Sequence, residues 1–134
     1  MSKTFSVTII APGREALVME AERLTTLTKD GEIEFRANHT PIIVSTIPTT
    51  TLVVNGGNKQ EMFTSSGIIY IKNNELKFCC DAVEMPSDIH IDRAQESKVR
   101  AERRLKEGKD IDVERAKRSL ARANARIGTL DTNN

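Results

Sequence analysis

Tryptophan is absent, tyrosine occurs once, and aromatic residues make up only 4% of the 134-residue chain. Proteins that read single-stranded nucleic acid stack bases on aromatic rings, and no such platform is evident here. There are two histidines, with no Ser–His–acid constellation and no cluster at metal-ligand spacing, which argues against an enzyme. The only cysteines, Cys79 and Cys80, are neighbours. In a strand they point to opposite faces and a bond between them is strained, so two buried, reduced thiols are expected and not a disulfide. They do not form a redox C-x-x-C, and reduced thiols fit a cytosolic protein. No apolar run approaches the roughly 18–20 residues of a membrane span. Met1–Ile10 has one lysine and no long apolar core, so it does not read as a secretory signal. No P-loop pattern occurs, so any bound nucleotide would be sensed and not turned over.

What is present fits one soluble domain with a core and a small appendage: 38% of residues are hydrophobic and 29% charged. The net charge of +1 hides a division. Residues 1–91 carry 8 basic and 11 acidic side chains, a balance of −3, whereas residues 92–134 carry 12 and 8, a balance of +4. The tail is the partner-seeking part, and the acidic first part argues against nucleic-acid binding as the main task. A basic helical hairpin over residues 93–126 that binds nucleic acid is the alternative reading.

The first 85 or so residues have the period of strands. Phe5, Val7 and Ile9 alternate with polar residues, and Pro12-Gly13 ends the run. Leu24 and Leu27 lead to the turn pair Asp30-Gly31, after which Ile33 and Phe35 alternate with Glu32 and Glu34. An apolar run follows at Pro41–Val44. The β-branched stretch Thr49–Val54 runs into Asn55-Gly56-Gly57-Asn58, a strong hairpin signal. Gly67–Ile71 and Leu76–Cys80 flank Asn73-Asn74, a second one. The expected class is α+β, beginning with an antiparallel β-sandwich or flattened barrel over residues 1–86.

Pro86-Ser87-Asp88 marks the boundary, and the period becomes helical over residues 87–134. Ala94, Ser97, Ala101 and Leu105 form one narrow stripe; Val113, Ala116, Leu120, Ala123, Ile127 and Leu130 form another. Gly108 stands where a helix C-cap belongs, with Asp110 and Asp112 at the start of the next helix. The result is an antiparallel two-helix hairpin. Its small stripe residues bury little apolar area, so the hairpin should be marginal and movable.

Several motifs agree in order and spacing with the epsilon subunits of F-type ATP synthases. Asp30-Gly31-Glu32-Ile33 with Asn38-His39-Thr40-Pro41-Ile42 resembles the family's G-E-[IL]-G-[IL]-x-P-G-H-A-P-L block. Ser66-Gly67 resembles its S-G-G turn, and Asp81-Ala82-Val83-Glu84 its A-D-x-A-E strand end. Arg93-Ala94, the run Arg100–Leu105, and Asp110-Ile111-Asp112 with Arg115-Ala116 resemble its hairpin. Glu34 stands where the family usually has Gly, Ala37-Asn38 replaces Pro-Gly, and Ser66 replaces a Gly.

The resemblance implies a non-catalytic rotor subunit of a proton- or sodium-translocating synthase. Such a subunit links the gamma subunit to the membrane c-ring and inhibits ATP hydrolysis through mobile C-terminal helices. Its place would be peripheral, on the cytoplasmic face of the bacterial cell membrane. Glu32 would face the ring and His39 would lie near gamma. Arg115, Arg118, Arg122 and Arg126 recur at helical spacing. On an extended helix they would form a cationic stripe that meets an acidic segment of the beta subunits in the alpha/beta head.

In some bacterial relatives the folded hairpin binds one regulatory ATP through an [IL]-D-x-x-R-A motif and arginines of the second helix. No cofactor is required; ATP, with or without magnesium, is the ligand this implies. Here the aligned stretch begins Ile89-His90 and reaches Arg93-Ala94, so His90 takes the acidic place; Glu84, Arg100, Arg122 and Arg126 stand at matching positions. Arg122 and Arg126, one turn apart, share a face suited to gripping phosphates. A mostly neutral imidazole orients neighbouring arginines less well than a carboxylate, which implies weaker affinity.

Overall fold

A computed structural model describes residues 3–108 and 113–132. Strands β1 (Phe5–Ile10), β2 (Leu17–Ala21), β3 (Arg23–Thr28), β4 (Gly31–Arg36) and β5 (Ile42–Thr46) come first. Then follow β6 (Thr49–Asn55), β7 (Asn58–Thr64), β8 (Gly67–Lys72), β9 (Glu75–Cys80) and β10 (Val83–Glu84). A 3-10 turn, Pro86–Asp88, leads into helices α1 (Ile91–Glu107) and α2 (Val113–Thr132). One sheet has the order β2-β1-β9-β8-β5 and the other β10-β7-β6-β3-β4.

The hairpins form where short-range chemistry dictates them. Asn73 and Asn74, at φ 53° and 60°, make the two-residue turn between β8 and β9. Both central residues of such a turn need positive φ, which Asn tolerates. Between β6 and β7 the turn is Gly56-Gly57, where only the first central residue, Gly56 at φ 62°, has positive φ. At β3–β4, Asp30 N–H donates to Thr28 Oγ1 (3.1 Å) and that hydroxyl donates to Gly31 O (3.0 Å). Glu34, in the place usually held by Gly, sits on β4 with its carboxyl below the ordinary range because Arg36 Nε donates to it at 2.7 Å.

Period-2 alternation sends Phe5, Val7, Ile9, Leu24, Phe35, Met62, Ile69, Ile71, Leu76 and Phe78 inward to one core. Between them the second sheet carries a buried hydroxyl chain, Thr26 to Thr51 (2.8 Å) and Thr51 to Thr64 (2.7 Å), which satisfies groups that would be costly if left unpaired.

Three expectations are amended. The sandwich is not wholly antiparallel, because β1 lies parallel to β9. The chain leaves β1 and visits the other sheet before returning, so no hairpin constrains that pair. Strand β2 was not foreseen, and β10 only as a strand end at Asp81–Glu84. Only Cys80 is buried; Cys79 faces outward and is exposed, as alternation along β9 requires.

In the hairpin, Gly108 ends α1 at φ 62° and its N–H donates to Arg104 O (3.2 Å), the left-handed cap expected there. The foreseen acids Asp110 and Asp112 lie outside the described residues. Ala94, Ala101, Ala116 and Ala123 are buried in the seam. Helix α2 rests on β6 and β7. Phe63, between the inward-facing Met62 and Thr64, points out of the sheet yet is 0% exposed, because α2 covers it. Beside it Thr129 Oγ1 donates to Ala125 O (2.8 Å), so the 2.7 Å bond to Thr50 Oγ1 has Thr50 as donor.

Gly67 is required by space. A Cβ there would lie 2.2 Å from Cys79 O and 2.7 Å from Cys80 Cα, both backbone atoms of the paired strand. Gly67→Ala should therefore cost about 3 kcal/mol in urea unfolding. Gly57→Ala, where a Cβ meets nothing within 4 Å, should change stability far less.

Candidate functional site

Pairing of β10 with β7 sets Glu84 directly beside Phe63 on the outer face of the second sheet. Arg126 of α2 reaches down onto both. Its Nε donates to Glu84 Oε1 (3.0 Å) and Oε2 (3.1 Å), Nη2 donates to Oε2 (3.0 Å), and Cζ lies 4.4 Å from the centre of the Phe63 ring. A guanidinium stacked on a ring and held by a fork of bonds is stronger than a surface ion pair.

Next to this contact is a cavity of about 250 Å³ lined by Glu84, Asp88, His90, Arg93, Ala94, Ser97 and Arg126. It brings together the 3-10 turn, the first turns of α1 and one side chain of α2. Asp88 is fixed reciprocally: its N–H donates to Met85 O (2.8 Å), and Met85 N–H donates to Asp88 Oδ2 (3.3 Å). His90 is the N-cap of α1 without a side-chain cap bond, so the first N–H groups of that helix have no capping partner from it.

Of the residues singled out in the sequence, Glu84, His90, Arg93, Ala94 and Arg126 share this cavity. Ile89 is buried beneath the turn, its N–H bonded to Pro86 O (3.2 Å). Arg100 is not in the cavity; it lies along the exposed side of α1 with Asp92, Gln95, Glu96, Val99 and Arg103. Arg122 is half-buried, but it does not line the cavity that Arg126 enters. The shared grip of Arg122 and Arg126 is therefore not formed in this state. In the docked hairpin Arg126 is turned onto the sheet while Arg115 and Arg118 are exposed. Arg126 is neutralised by Glu84, so the absent acid at position 90 does not leave it unpaired. Asp88 and Ser97 were missed: Asp88 read as part of a boundary turn and Ser97 as part of a helix stripe.

Glu32 is exposed on β4 beside the tight Gly31 turn. His39 lies elsewhere, tilted against Phe35 at 5.1 Å between ring centres, with Nδ1 2.7 Å from Thr40 O. The outer face of the first sheet, in contrast with that of the second, is uncovered. Ile10, Val18, Ile43, Ile68 and Tyr70 are exposed on it. Registers Ile43↔Tyr70, Ile68↔Cys79 and Ile10↔Cys79 join four of these apolar side chains and the outward Cys79 into one patch.

Comparison with known proteins gives one consistent result. A family model described as the ATP synthase Delta/Epsilon chain, beta-sandwich domain, matches residues 4–86, and one described as its long alpha-helix domain matches residues 87–130. The ATP synthase epsilon chain of Clostridium kluyveri is 42% identical over 131 residues, spanning 97% of this chain and 99% of that one. That of Clostridium novyi is 38% identical over 128 residues, spanning 95% and 98%. Among solved structures, a chain of the Euglena gracilis mitochondrial ATP synthase has a TM-score of 0.83 at 14% identity, covering 95% of this chain and 81% of that one. At that identity the likeness speaks for the fold.

The Arg126 contact should set how firmly the hairpin is docked. Arg126→Ala should lower the opening free energy of α2, read by amide hydrogen exchange, by about 1–2 kcal/mol. Arg126→Lys, which keeps charge but loses the fork, should recover only part of it. The urea midpoint of the sandwich should barely move; unchanged exchange in α2 would show that the contact does not hold the hairpin.

Proposed function

This chain belongs to the ATP synthase Delta/Epsilon chain family, and from that membership we propose that it is a non-catalytic rotor subunit. In this reading it joins the gamma subunit to the membrane ring and restrains ATP hydrolysis with its C-terminal hairpin. The observation that carries it is the unequal treatment of the two sheet faces. The second sheet is covered by the chain's own hairpin, whereas the first presents a contiguous apolar patch to solvent. An open patch of this kind marks a docking surface. The gamma subunit is the occupant, with His39 near its border, and Glu32 at the β3–β4 turn faces the ring. No described helix is long and apolar enough to cross a membrane, and attachment at the cytoplasmic face runs through these partners.

The hairpin supplies regulation. Among the described residues its hydrogen bonds to the sandwich come from Arg126 and Thr129, so in this reading loss of these bonds favours its release. Released, α2 presents Arg115, Arg118, Arg122 and Arg126 to the alpha/beta head. Docked, its cavity offers the guanidiniums of Arg93 and Arg126 and the uncapped start of α1 to an anionic ligand. ATP, with or without magnesium, is the ligand proposed. At about 250 Å³ the cavity holds part of a nucleotide, and the rest would lie along its open rim.

Cys79 reports on docking without mutation. In the free protein a maleimide should label Cys79 at pH 8, whereas Cys80, buried and with its thiol pushed up to about 11 by that burial, should react only on unfolding. Bound gamma should protect Cys79, and Ile43→Asp should abolish co-purification with gamma. Labelling of Cys79 at full rate in the assembled complex would remove this face from the interface.

The inhibitory stripe is tested separately from the docked state. Replacing Arg115, Arg118 and Arg122 by Ala, while keeping Arg126 to hold the hairpin, should raise the hydrolysis rate of the assembled enzyme severalfold. Synthesis should change less, and added salt should mimic the substitution. Equal hydrolysis by wild type and variant would exclude the stripe.

A further inference from the structure

The cavity contains two carboxylates, and they are differently committed. Both oxygens of Glu84 accept from Arg126 at 3.0–3.1 Å. Asp88 has one oxygen, Oδ2, accepting from Met85 N–H at 3.3 Å, and Oδ1 takes no hydrogen bond from any described residue. Asp88 is exposed and lines the cavity. Its uncommitted oxygen is an acceptor, held in place by a turn that its own backbone N–H helps to close.

Such an acceptor finds no donor in a metal-free phosphate chain. Phosphate oxygens are acceptors too, and like charges in a small cavity repel. It suits the donor groups of a nucleoside: the exocyclic amine of adenine or a ribose hydroxyl. The volume agrees, since the cavity has room for part of a nucleotide only. Arg93 is the cavity's guanidinium for the phosphates, and Arg126 adds those N–H groups that Glu84 does not hold.

We propose that Asp88 is the specificity-determining acceptor of this site, reading an N–H or O–H donor of the nucleoside end of the ligand while the arginines take the phosphates. This rests on the nucleotide reading of the cavity given above. It also assigns the acid that position 90 lacks: the carboxylate comes from the turn two residues earlier and serves the nucleoside.

Two variants separate this role from a structural one. Asp88→Ala removes both oxygens. Asp88→Asn retains a carbonyl oxygen for Met85 N–H but turns a donor, the NH₂ group, toward the cavity. Calorimetry on the full chain would compare ATP, inosine triphosphate, 2′-deoxy-ATP and inorganic tripolyphosphate. Wild type should bind ATP at least about tenfold more tightly than tripolyphosphate, because the nucleoside contributes. Both variants should weaken ATP about tenfold, the scale of one lost charge-assisted hydrogen bond, and leave tripolyphosphate no weaker, because a like charge has been removed from the cavity. Loss of discrimination against inosine triphosphate would locate the contact at the amine, and loss against 2′-deoxy-ATP at the sugar; either supports the assignment. Undiminished ATP binding by both variants, or equal weakening of ATP and tripolyphosphate, overturns it and leaves a nucleotide site standing. Absence of ATP binding by wild type overturns both this inference and the reading beneath it.

Discussion

Arg126 on Phe63 and Glu84 is the contact on which the arrangement of the two halves depends. The sandwich has spent its inner faces on one core, and the hairpin has spent its stripes on itself. What remains to join them is the outer face of β6, β7 and β10. Phe63 gives that face apolar area and Glu84 gives it charge. Arginine is the side chain that can use both at once, by stacking its plane and forking its N–H groups. Thr129 and Thr50 add a sealed hydroxyl bond beside it.

The strength of this junction is matched to its task. Four alanines fill the seam between α1 and α2, and a buried methyl contributes only about 0.8 kcal/mol. The four methyls alone fall well short of the entropy of ordering two helices. Docking on the sandwich tips the balance, so whatever loosens Arg126 loosens the hairpin as a unit. Leucines at the same positions would make a sturdier hairpin but would hold the helices further apart.

Much of the fold was legible in the sequence because it is local. Asn73-Asn74, Asn55–Asn58 and Asp30-Gly31 write their turns into two to four residues, and Gly108 writes its helix cap. Long-range pairing is not written that way. Nothing near β1 signals a parallel partner some seventy residues on, and the short β10 is a strand only because β7 lies beside it. The same limit governs the site. Glu84, Arg93 and Arg126 could be aligned by motif, but Arg100 and Arg122 align equally well and are placed elsewhere by helix rotation. Met62-Phe63 reads as a doubly apolar step; which of the two faces the core is settled only by the register with β6.

The position of the cavity gives its occupancy a consequence. Its walls come from Glu84 of β10, from the turn after the sandwich, from α1 and, through Arg126 alone, from α2. A ligand that gains contact with Arg126 while Glu84 holds it binds only the docked hairpin at full strength. Docking and binding are then linked, each favouring the other by the same free energy. A ligand confined to Arg93 and the turn would bind docked and released forms alike and shift nothing, however tightly it bound. In the proposed reading the single arginine contributed by α2 is what would make this cavity a sensor, and it is the same side chain that fastens the hairpin.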